Sequence, residues 1–502
     1  MLRPLLLLGA LLAWTPALRA TTPAVAGPAP VPVAAPAVLQ RAWLDEPRVP
    51  APRAERQPDN VLLIIGDDFA REAMAIYGVG ENPAHTPVLD AIAGAGVVFE
   101  NAYSQMVCSP TRAAMLTGRH AARTGIGTSV PWKQCQTSNN GCFELDLNES
   151  VTLPMALRGT HRSGAFGKWH LSTYRDGRGW MHPIDAGFDW FLGAKQNLGG
   201  SAADPQVYFE WEKNVASRDG AHQFTARNYA TTDNVDDALQ FIERQGQQPW
   251  FTWLAFNAAH TPFHAPPAEL QPLTQATPES PNSELQRAMI EAMDTEIGRL
   301  LTTLRPAVLK RTWVIFLADN GPPPSSLPLP LPAVVKAKPN PWEANIHVPM
   351  IVAGPGLVAP GRGVEHLVHV VDVYATVCEL AGRPVPESAS DSVSFVDYLV
   401  DPSAPARRGV SFSERHRPNG FGPYTLEQWA VTDGRWKLGK YGAGGISPGG
   451  GGGPLTGLSF YDLLNDPDET IDLLNGPPLS PEQESALQAL LDERDAILAA
   501  RE

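Results

Sequence analysis

Short apolar runs of strand length, separated by helix signals, constrain this fold more than any other feature of the sequence. The runs are continuous rather than alternating, which is typical of strands buried on both faces of a sheet. Amphipathic segments stand between them, such as the one whose apolar positions extend from Met289 to Leu304. Strands that alternate with helices indicate a mostly parallel sheet covered on both faces. The runs occupy residues 60–65, 251–256, 312–317 and 348–353.

Length and element order together predict a two-part architecture. With 502 residues, the chain is long enough for one large α/β domain and a smaller one. We expect a large mixed, mostly parallel sheet sandwiched by helices, followed by a smaller C-terminal α+β subdomain. The predicted organisation is a signal peptide at 1–20, an Ala/Pro-rich tail or linker at 21–55, a main domain at 56–405 and the C-terminal subdomain at 406–502.

The first twenty residues have the pattern of a secretory signal. Arg3 precedes an apolar stretch at 5–14, and small residues lead to Ala20. A membrane anchor is the alternative, but the stretch is shorter than the roughly 18–20 residues that span a bilayer. We therefore predict a secreted or periplasmic protein with no membrane span after signal cleavage. The net charge of −14 argues against a nucleic-acid partner, which would require a basic face.

Polar side chains follow the predicted strands at the point where each strand ends. Ligands of open α/β sheets bind beyond these carboxyl ends. Three carboxylates and one amide supply only oxygen donors, which suits Ca²⁺, with Mg²⁺ possible, rather than zinc. An Asp pair alone is more often a turn or a helix cap than a metal site, so the prediction depends on the joint pattern. The side chains are Asp67 and Asp68 after the first run, Lys168 and His170 after residues 165–166, His260 after the second run, and Asp319 and Asn320 after the third.

Cys108 is the cysteine that requires an explanation. Cys135 and Cys142 lie in one polar loop and could form a disulfide in an oxidising compartment, whereas Cys378 fits the core side of a helix. The remaining thiol, Cys108, begins a helical stretch. A helix N-terminus stabilises anionic groups, thiolates included. A buried apolar cysteine is the alternative interpretation, and it does not account for the Pro and Arg that follow.

A series of short motifs surrounds these candidate residues. Residues 108–119 read Cys-Ser-Pro-Thr-Arg-Ala-Ala-Met-Leu-Thr-Gly-Arg. Further motifs are Gly-Lys-Trp-His-Leu at 167–171, Ala-His-Thr-Pro at 259–262, Ala-Asp-Asn-Gly at 318–321, Lys-x-x-x-Trp-Glu at 338–343 and Asp-Pro-Asp-Glu-Thr at 466–470. Together they resemble the arylsulfatase-like type I sulfatases of the alkaline phosphatase superfamily, whose signature is Cys-x-Pro-x-Arg followed by Leu-Thr-Gly-Arg. The resemblance covers roughly residues 58–475.

The resemblance implies an activity and a cofactor. The activity is hydrolysis of sulfate monoesters to an alcohol or phenol plus inorganic sulfate, through a covalent sulfate ester on a formylglycine diol. A separate maturation enzyme would make the formylglycine from Cys108. The substrate would be a sulfated small molecule or carbohydrate, and the main domain at 56–405 would be the catalytic sulfatase domain.

The same resemblance implies roles for individual residues. The metal would be held by Asp67, Asp68, Asp319 and Asn320, together with the diol derived from Cys108. Sulfate oxygens would be bound by Lys168, His260 and Lys338. Either His260 or Lys338 would protonate the leaving oxygen. Arg112 would steady the modified side chain, and His170 would help the diol to expel sulfate.

The segment around Lys338 departs from the family pattern. The family usually has Gly-Gly and Arg after the Trp-Glu pair, but Ala344, Asn345 and His347 stand there. Lys336 also offers a second lysine two residues away. The sequence therefore leaves the identity of this sulfate-binding lysine open to test by structure.

Two other functions are compatible with parts of this pattern. One is a phosphate or phosphonate ester hydrolase of the same superfamily. An unmodified Ser or Thr nucleophile would favour that function, whereas Cys108 in its Cys-x-Pro-x-Arg sequence disfavours it. The other is a non-catalytic sugar-binding relative in which Cys108 stays unconverted. The complete set of candidate ligands argues against this loss of function.

Overall fold

The computed structural model describes residues 43, 59–132, 138–174, 179–199, 204–328, 336–441 and 457–499. The predicted signal peptide at 1–20 lies outside the described residues, as does the 21–55 tail apart from Trp43. The Trp43 indole donates a hydrogen bond to the Leu309 carbonyl at 3.1 Å and packs against the main core. Among the helices of the described residues, none has the length and apolar character needed to cross a bilayer.

The strands of the described ranges are short, and most have between two and seven residues. In chain order they are β1 (Asn60–Gly66), β2 (Val97–Phe99), β3 (Ala102–Tyr103), β4 (Arg162–Gly167), β5 (Trp190–Gly193), β6 (Trp211–Ser217), β7 (Gly220–Ala226), β8 (Trp250–Ala255), β9 (Thr312–Ala318), β10 (Met350–Ala353), β11 (Arg362–Val364), β12 (Val368–His369), β13 (Ser411–Arg417), β14 (Leu426–Thr432), β15 (Trp436–Lys440) and β16 (Leu458–Asp462).

The α-helices of the same ranges vary from single turns to more than twenty residues. They are α1 (Pro87–Ala95), α2 (Cys108–Thr117), α3 (Ala121–Thr124), α4 (Leu153–Ala156), α5 (His182–Asp185), α6 (Ala230–Gln245), α7 (Asn282–Thr303), α8 (Pro306–Leu309), α9 (Glu343–Ile346), α10 (Asp372–Leu380), α11 (Val396–Val400) and α12 (Pro481–Ala499).

Ten strands form one large sheet in the order β11-β2-β10-β9-β1-β8-β4-β5-β6-β7. Its centre, from β9 to β5, is parallel, with Val61 of β1 opposite Phe251 of β8 and Trp313 of β9. The strands β10 and β6 run antiparallel to this block. Every residue of β1, β8 and β9 is buried, which explains their continuous apolar sequences. The predicted mixed, mostly parallel sheet is confirmed.

Helices cover the sheet through their apolar faces. The helix α6 packs against β4 and β8, α7 packs against α6, and α1 packs against β10. In α7, the predicted apolar positions from Met289 to Leu301 are buried. The helix α1 starts after Thr86, but the Thr86 side chain makes no capping bond to a backbone amide. Its hydroxyl instead lies 3.4 Å from an Asp90 carboxylate oxygen, so proline at the first helical position remains the clearer start signal.

A separate four-stranded antiparallel sheet, β13-β14-β15-β16, forms the smaller C-terminal subdomain. The helix α12 packs on β14 and β15, and residues such as Phe412, Trp429 and Leu438 form a second core. The predicted α+β subdomain is therefore confirmed, while its boundary at residue 406 stays a prediction. Buried Lys437 of β15 binds Glu343 and Glu469, each at 2.8 Å, and so fastens this sheet to the segment after Lys338.

Candidate active site

Carboxylates from the ends of two neighbouring strands meet at the carboxyl edge of the large sheet. Asp67 and Asp68 follow β1, and Asp319 and Asn320 follow β9. One oxygen from each of the three aspartates lies within 4.8 Å of the others, and all three side chains are buried. The strand pairing causes this convergence, because Gly66 and Ala318 are partners in the parallel register of β1 and β9.

The backbone around Asp68 is held in an uncommon conformation. Asp68 has a φ of 63°, in the left-handed region that non-glycine residues seldom adopt. Its carbonyl accepts a hydrogen bond from Gln286 of α7 at 2.7 Å, and its amide lies 3.4 Å from Asp319 Oδ1. These contacts hold the Asp68 backbone beside Asp319. Strained backbone of this kind persists where surrounding contacts fix it, typically at functional sites.

The donor set fits a hard divalent cation. Asp67 Oδ1 and Asn320 Oδ1 are buried and have no hydrogen-bond partner within the described structure. A buried oxygen without a partner is costly unless another group, such as a cation, binds it. The Asn320 amide nitrogen donates to Asp68 Oδ1 at 2.7 Å, which orients the amide oxygen. Four oxygen donors without a thiolate or imidazole suit Ca²⁺ or Mg²⁺.

Three cationic side chains surround the carboxylates. The Lys168 ammonium contacts Asp67, and Lys338 Nζ lies 2.5 Å from Asp68 Oδ1. Arg112 donates to Asp319 Oδ2 through Nε at 3.0 Å and NH2 at 2.8 Å. The three positive and three negative formal charges cancel, so a bound divalent cation would leave a net charge of about +2. Such a site attracts an anionic ester.

The acid–base state of this cluster follows from burial and charge. Burial alone would raise the pKa of Asp68, but Lys338 and His260 outweigh it and lower that pKa. Burial opposes the charged form of Lys338, yet Asp68 raises the Lys338 pKa above its ordinary value. The Arg112 pKa is also raised, because Asp319 and Asp67 outweigh the effect of burial. These groups therefore remain charged at neutral pH.

Cys108 begins helix α2 and faces the same cluster. Its Sγ lies 3.2 Å from His170 Nδ1, and the side chain is buried. The next residues of α2 fix its position: Ser109 Oγ donates to the His170 carbonyl at 2.7 Å, and Thr111 Oγ1 donates to the Asp319 carbonyl at 2.7 Å. Arg112 also donates to the Lys168 carbonyl at 2.8 Å. Hydrogen bonds thus join the first turn of α2 to the segment after β4 and to the segment after β9.

His170 reaches the thiol by a left-handed turn. The sequence predicts an extended segment in which Lys168 and His170 point to the same side. That expectation is wrong, because His170 has a φ of 63°. Both side chains still enter the site, since Lys168 contacts Asp67 and His170 contacts Cys108. Burial, followed by the nearby Lys168 and Arg112 charges, holds the His170 pKa well below its usual value.

His260 lies beside Asp68. Its Nε2 is 3.6 Å from Asp68 Oδ2, and its Nδ1 is 2.7 Å from the Thr261 carbonyl oxygen. A carbonyl only accepts hydrogen bonds, so this partner assigns the hydrogen to Nδ1. Burial lowers the His260 pKa despite the attraction of Asp68. In its neutral form, His260 therefore presents an unprotonated Nε2 toward the site.

The two lysines that the sequence offers here have different environments. Lys338 contacts Asp68, whereas Lys336 Nζ lies over the Trp342 ring, 5.4 Å from its centroid. Two of the residues that depart from the family pattern make hydrogen bonds within the segment that follows Lys338. Asn345 Nδ2 donates to the Asn340 carbonyl at 2.8 Å. His347 Nδ1 lies 3.0 Å from a carboxylate oxygen of Glu343.

Some nearby residues escape sequence reasoning. Ser129 Oγ lies 4.0 Å from Cys108 Sγ, and the Val130 amide donates to Ser109 Oγ at 3.0 Å. Ser129 follows no apolar run and belongs to none of the motifs, so nothing in the sequence marks it. Gln286 lies on the buried face of α7, which also carries buried Glu291, Asp294 and Glu296, so a polar residue at this position does not by itself mark a contact with the site.

The cysteines divide as the sequence suggests where they are described. Cys108 and Cys378 carry free, buried thiols, and Cys142 is disulfide-bonded. Cys135 lies outside the described residues, so its pairing with Cys142 stays a prediction. Cys378 lies in α10, and burial raises its thiol pKa to about 12, as expected for an inert core residue.

Comparisons with known proteins identify the family. The sulfatase family model matches residues 59–383. Human N-acetylgalactosamine-6-sulfatase is 29% identical over 361 residues, 68% of this chain and 66% of that protein, so the chain spans just under two thirds of this relative.

Solved structures show the same fold. Ps i-CgsB has a TM-score of 0.70 at 22% identity, covering 88% of this chain and 92% of that one. The phosphonate monoester hydrolase SpPMH from Silicibacter pomeroyi has a TM-score of 0.61 at 19% identity, covering 87% and 95%. The fold is therefore shared with a protein that is named a phosphonate monoester hydrolase. The family model, which covers most of the chain and includes Cys108 and the strand-end aspartates, shows that this protein belongs to the sulfatase family.

Proposed function

We propose that this protein hydrolyses sulfate monoesters to an alcohol or phenol and inorganic sulfate. The observation that carries the proposal is the position of Cys108, which opens α2 within a Cys-x-Pro-x-Arg sequence. There its Sγ lies 3.2 Å from His170 Nδ1, and Arg112 of the same helix binds the aspartate cluster. The relationship to an N-acetylgalactosamine-6-sulfatase supports the same activity.

Two groups complete the proposed site. A Ca²⁺ ion, with Mg²⁺ as the second candidate, would be held by Asp67, Asp68, Asp319 and Asn320, whose oxygens fit it. A maturation enzyme would convert Cys108 to formylglycine. Formylglycine would supply, when hydrated, the hydroxyl nucleophile, and the cation would supply charge stabilisation.

The protein's own side chains bind and orient the sulfate. Lys168 and Lys338 provide ammonium groups beside the aspartates, and both can turn toward sulfate oxygens once a cation neutralises those carboxylates. Fixed positive groups in a buried site stabilise developing negative charge at little reorganisation cost. Arg112 is bound by Asp319 and the Lys168 carbonyl, and so positions both the start of α2 and the lysine.

Proton transfer can be assigned from the hydrogen positions. Neutral His260 carries its hydrogen on Nδ1 and has none on the nitrogen that faces Asp68. Lys338 has a raised pKa and carries a proton at neutral pH. We therefore assign protonation of the leaving oxygen to Lys338, with His260 as a sulfate-binding partner. His170 has a lowered pKa and can accept a proton at the Cys108 position.

A phosphate or phosphonate ester hydrolase is the alternative, because a phosphonate monoester hydrolase shares this fold. The charge of the site favours any anionic ester and does not separate the two. The sulfatase motif around Cys108 favours sulfate. A non-catalytic sugar-binding protein is disfavoured, since the described ligand set is complete and buried.

The natural substrate class and location are also part of the proposal. We expect a sulfated small molecule or carbohydrate, in line with the name of the sulfated-sugar hydrolase that the chain resembles. A secreted or periplasmic location agrees with the signal pattern at 1–20. The catalytic domain would extend over 56–405, beyond the matched residues 59–383, with the subdomain at 406–502.

A substrate panel tests the proposed function. The protein is expressed with a formylglycine-generating enzyme, and its intact mass is measured; conversion of Cys108 should remove about 18 Da. Turnover of 4-nitrophenyl sulfate is then compared with that of 4-nitrophenyl phosphate and a phosphonate monoester. Preferred hydrolysis of the sulfate supports the proposal, whereas a protein active only on phosphorus esters contradicts it.

A further inference from the structure

Two arginines on β13, Arg415 and Arg417, form no ion pair with a carboxylate among the described residues. Arg415 is only 7% exposed, and its NH1 donates to the amide oxygen of Gln428 at 2.7 Å. The Nε atoms of Arg415 and Arg417 are buried and have no hydrogen-bond partner in the described part of the chain. Other buried arginines differ: Arg112 binds Asp319, and Arg408 binds Asp372 at 2.8 Å.

Within the ranges that the structure describes, the pair therefore carries positive charge without a carboxylate beside it. Residues two apart on a strand lie on the same face, so Arg415 and Arg417 are neighbours. Burial, and then the charge of Arg417, lower the pKa of Arg415 to about 10, which still leaves it charged at neutral pH. An unpaired buried charge is costly unless something binds it. Residues 442–456, which follow β15 in the sequence, contain no Asp or Glu.

One side of β13 adjoins the segments that carry Cys108 and Ser129. The Glu414 amide donates to Gln105 Oε1 at 2.7 Å, three residues before Cys108. Just after β13, Asn419 Oδ1 accepts hydrogen bonds from the amides of Gly127 at 3.0 Å and Thr128 at 2.8 Å, directly before Ser129. The strand thus lies beside two backbone segments that line the site.

The arginine side of β13 leads to the lysine that we assign as the proton donor. Gln428, the partner of Arg415, donates through Nε2 to Asn340 Oδ1 at 2.8 Å. Asn340 is two residues after Lys338, whose ammonium is in the site. A chain of two hydrogen bonds therefore connects Arg415 with Asn340, two residues from Lys338, and so places Arg415 close to the Lys338 segment.

We propose that Arg415 and Arg417 bind a second anionic group of the substrate, a carboxylate or another sulfate, on the part that leaves as the alcohol. This inference rests on the proposed function and specifies its substrate class. The planar guanidinium fork matches carboxylate and sulfate oxygens, and charge-assisted bonds of this kind are the strong ones. The reacting sulfate occupies the aspartate and lysine cluster, so the arginine pair is free for a different group of the same molecule.

Binding is tested separately from turnover, with the full-length Cys108→Ala protein saturated with Ca²⁺. The first probe pair is a disaccharide with one sulfate ester and one carboxylate, against its methyl ester. The second is a monosaccharide disulfate against the monosulfate. Isothermal titration calorimetry should show about tenfold tighter binding of at least one doubly charged probe. Whichever pair shows the preference identifies the group as carboxylate or sulfate.

Substitutions assign the preference to the arginines. Arg415→Gln and Arg417→Gln should each reduce it to less than about threefold, and Arg415→Lys should keep part of it. The matched control is Arg435→Gln, in the same subdomain, where the arginine already pairs with Glu482 at 2.7 Å. Half-buried Arg417 provides the test if Arg415→Gln does not fold.

Three results would overturn the inference. In the first, the parent protein binds no doubly charged probe more tightly than its singly charged counterpart. In the second, Arg435→Gln loses the preference as fully as the variants of Arg415 and Arg417. In the third, Arg415→Gln and Arg417→Gln keep the whole preference. Failure of the proposed function looks different, because the mature wild-type protein would then not hydrolyse 4-nitrophenyl sulfate although the binding preference persists.

Discussion

Replacing Lys338 and Lys336 separately by alanine tests which lysine serves the site. Lys338 is 13% exposed at its side chain and lies 2.5 Å from Asp68, whereas Lys336 stacks on the Trp342 ring. Loss of one preorganised group that stabilises developing charge costs about 10²–10³-fold in kcat. We expect Lys338→Ala to lower kcat/KM for 4-nitrophenyl sulfate by roughly 10²-fold or more. Lys336→Ala should change it by less than about threefold, because the ammonium of this partly buried lysine contacts the Trp342 ring and not the aspartates.

A metal-binding measurement separates a catalytic effect of Lys338 from a damaged site. Removing this ammonium leaves Asp68 without its cationic neighbour, so Ca²⁺ should bind Lys338→Ala at least as tightly as the parent protein. Titration calorimetry measures that affinity, and thermal melting verifies folding. An equal loss of activity in Lys336→Ala and Lys338→Ala would contradict the assignment of Lys338. A large fall in the Ca²⁺ affinity of Lys338→Ala that accounts for its loss of activity would contradict it too.

A substitution of Cys108, removal of the metal and a change of pH provide three more tests. Cys108→Ala should abolish turnover while changing the melting temperature little, because the buried thiol has one close polar contact, His170 at 3.2 Å; residual activity above a few per cent speaks against nucleophilic catalysis at this position. Chelation should remove activity, with Ca²⁺ or Mg²⁺ restoring it, and Asp67→Asn should weaken the metal affinity measured by calorimetry. Burial lowers the pKa of His264 to about 4, so the unfolded chain binds its proton first as pH falls, and this residue alone should lower the free energy of unfolding by about 2 kcal/mol between pH 7.5 and 5. Urea unfolding at both pH values should show a loss that is smaller in His264→Gln than in the parent protein by about that amount; the rest of the loss comes from other buried histidines with lowered pKa values, such as His120 and His170.

The strand-end residues could be predicted because local pattern and sheet geometry agree there. The buried runs before Asp67 and Asp319 are continuous and apolar, and adjacent parallel strands necessarily bring their following residues together. The helix start at Cys108 was readable for a similar reason, since the Pro two residues later fits a first turn. Both features depend on short stretches of sequence.

Other features depend on tertiary packing and carried no local signal. The run at 348–353 reads like the other buried strands, yet β10 pairs antiparallel to β9, because burial on both faces does not encode strand direction. Ser109 of α2 donates a hydrogen bond to the His170 carbonyl and so holds the left-handed turn at His170. Arg415 lies near the Lys338 segment only because the C-terminal sheet docks there through residues such as Lys437. Such contacts join segments distant in sequence, so spacing alone does not reveal them.

We propose above that this site hydrolyses sulfate esters through a group made from Cys108, and a comparison of three substrates tests this. The quantity to measure is kcat/KM of the matured protein for 4-nitrophenyl sulfate, 4-nitrophenyl phosphate and a phosphonate monoester, with the Cys108→Ala variant assayed on each substrate in parallel. We expect a preference for the sulfate ester of at least about 10²-fold and no sulfate hydrolysis in Cys108→Ala. Faster hydrolysis of a phosphorus ester, or sulfate hydrolysis that survives in Cys108→Ala, would contradict it.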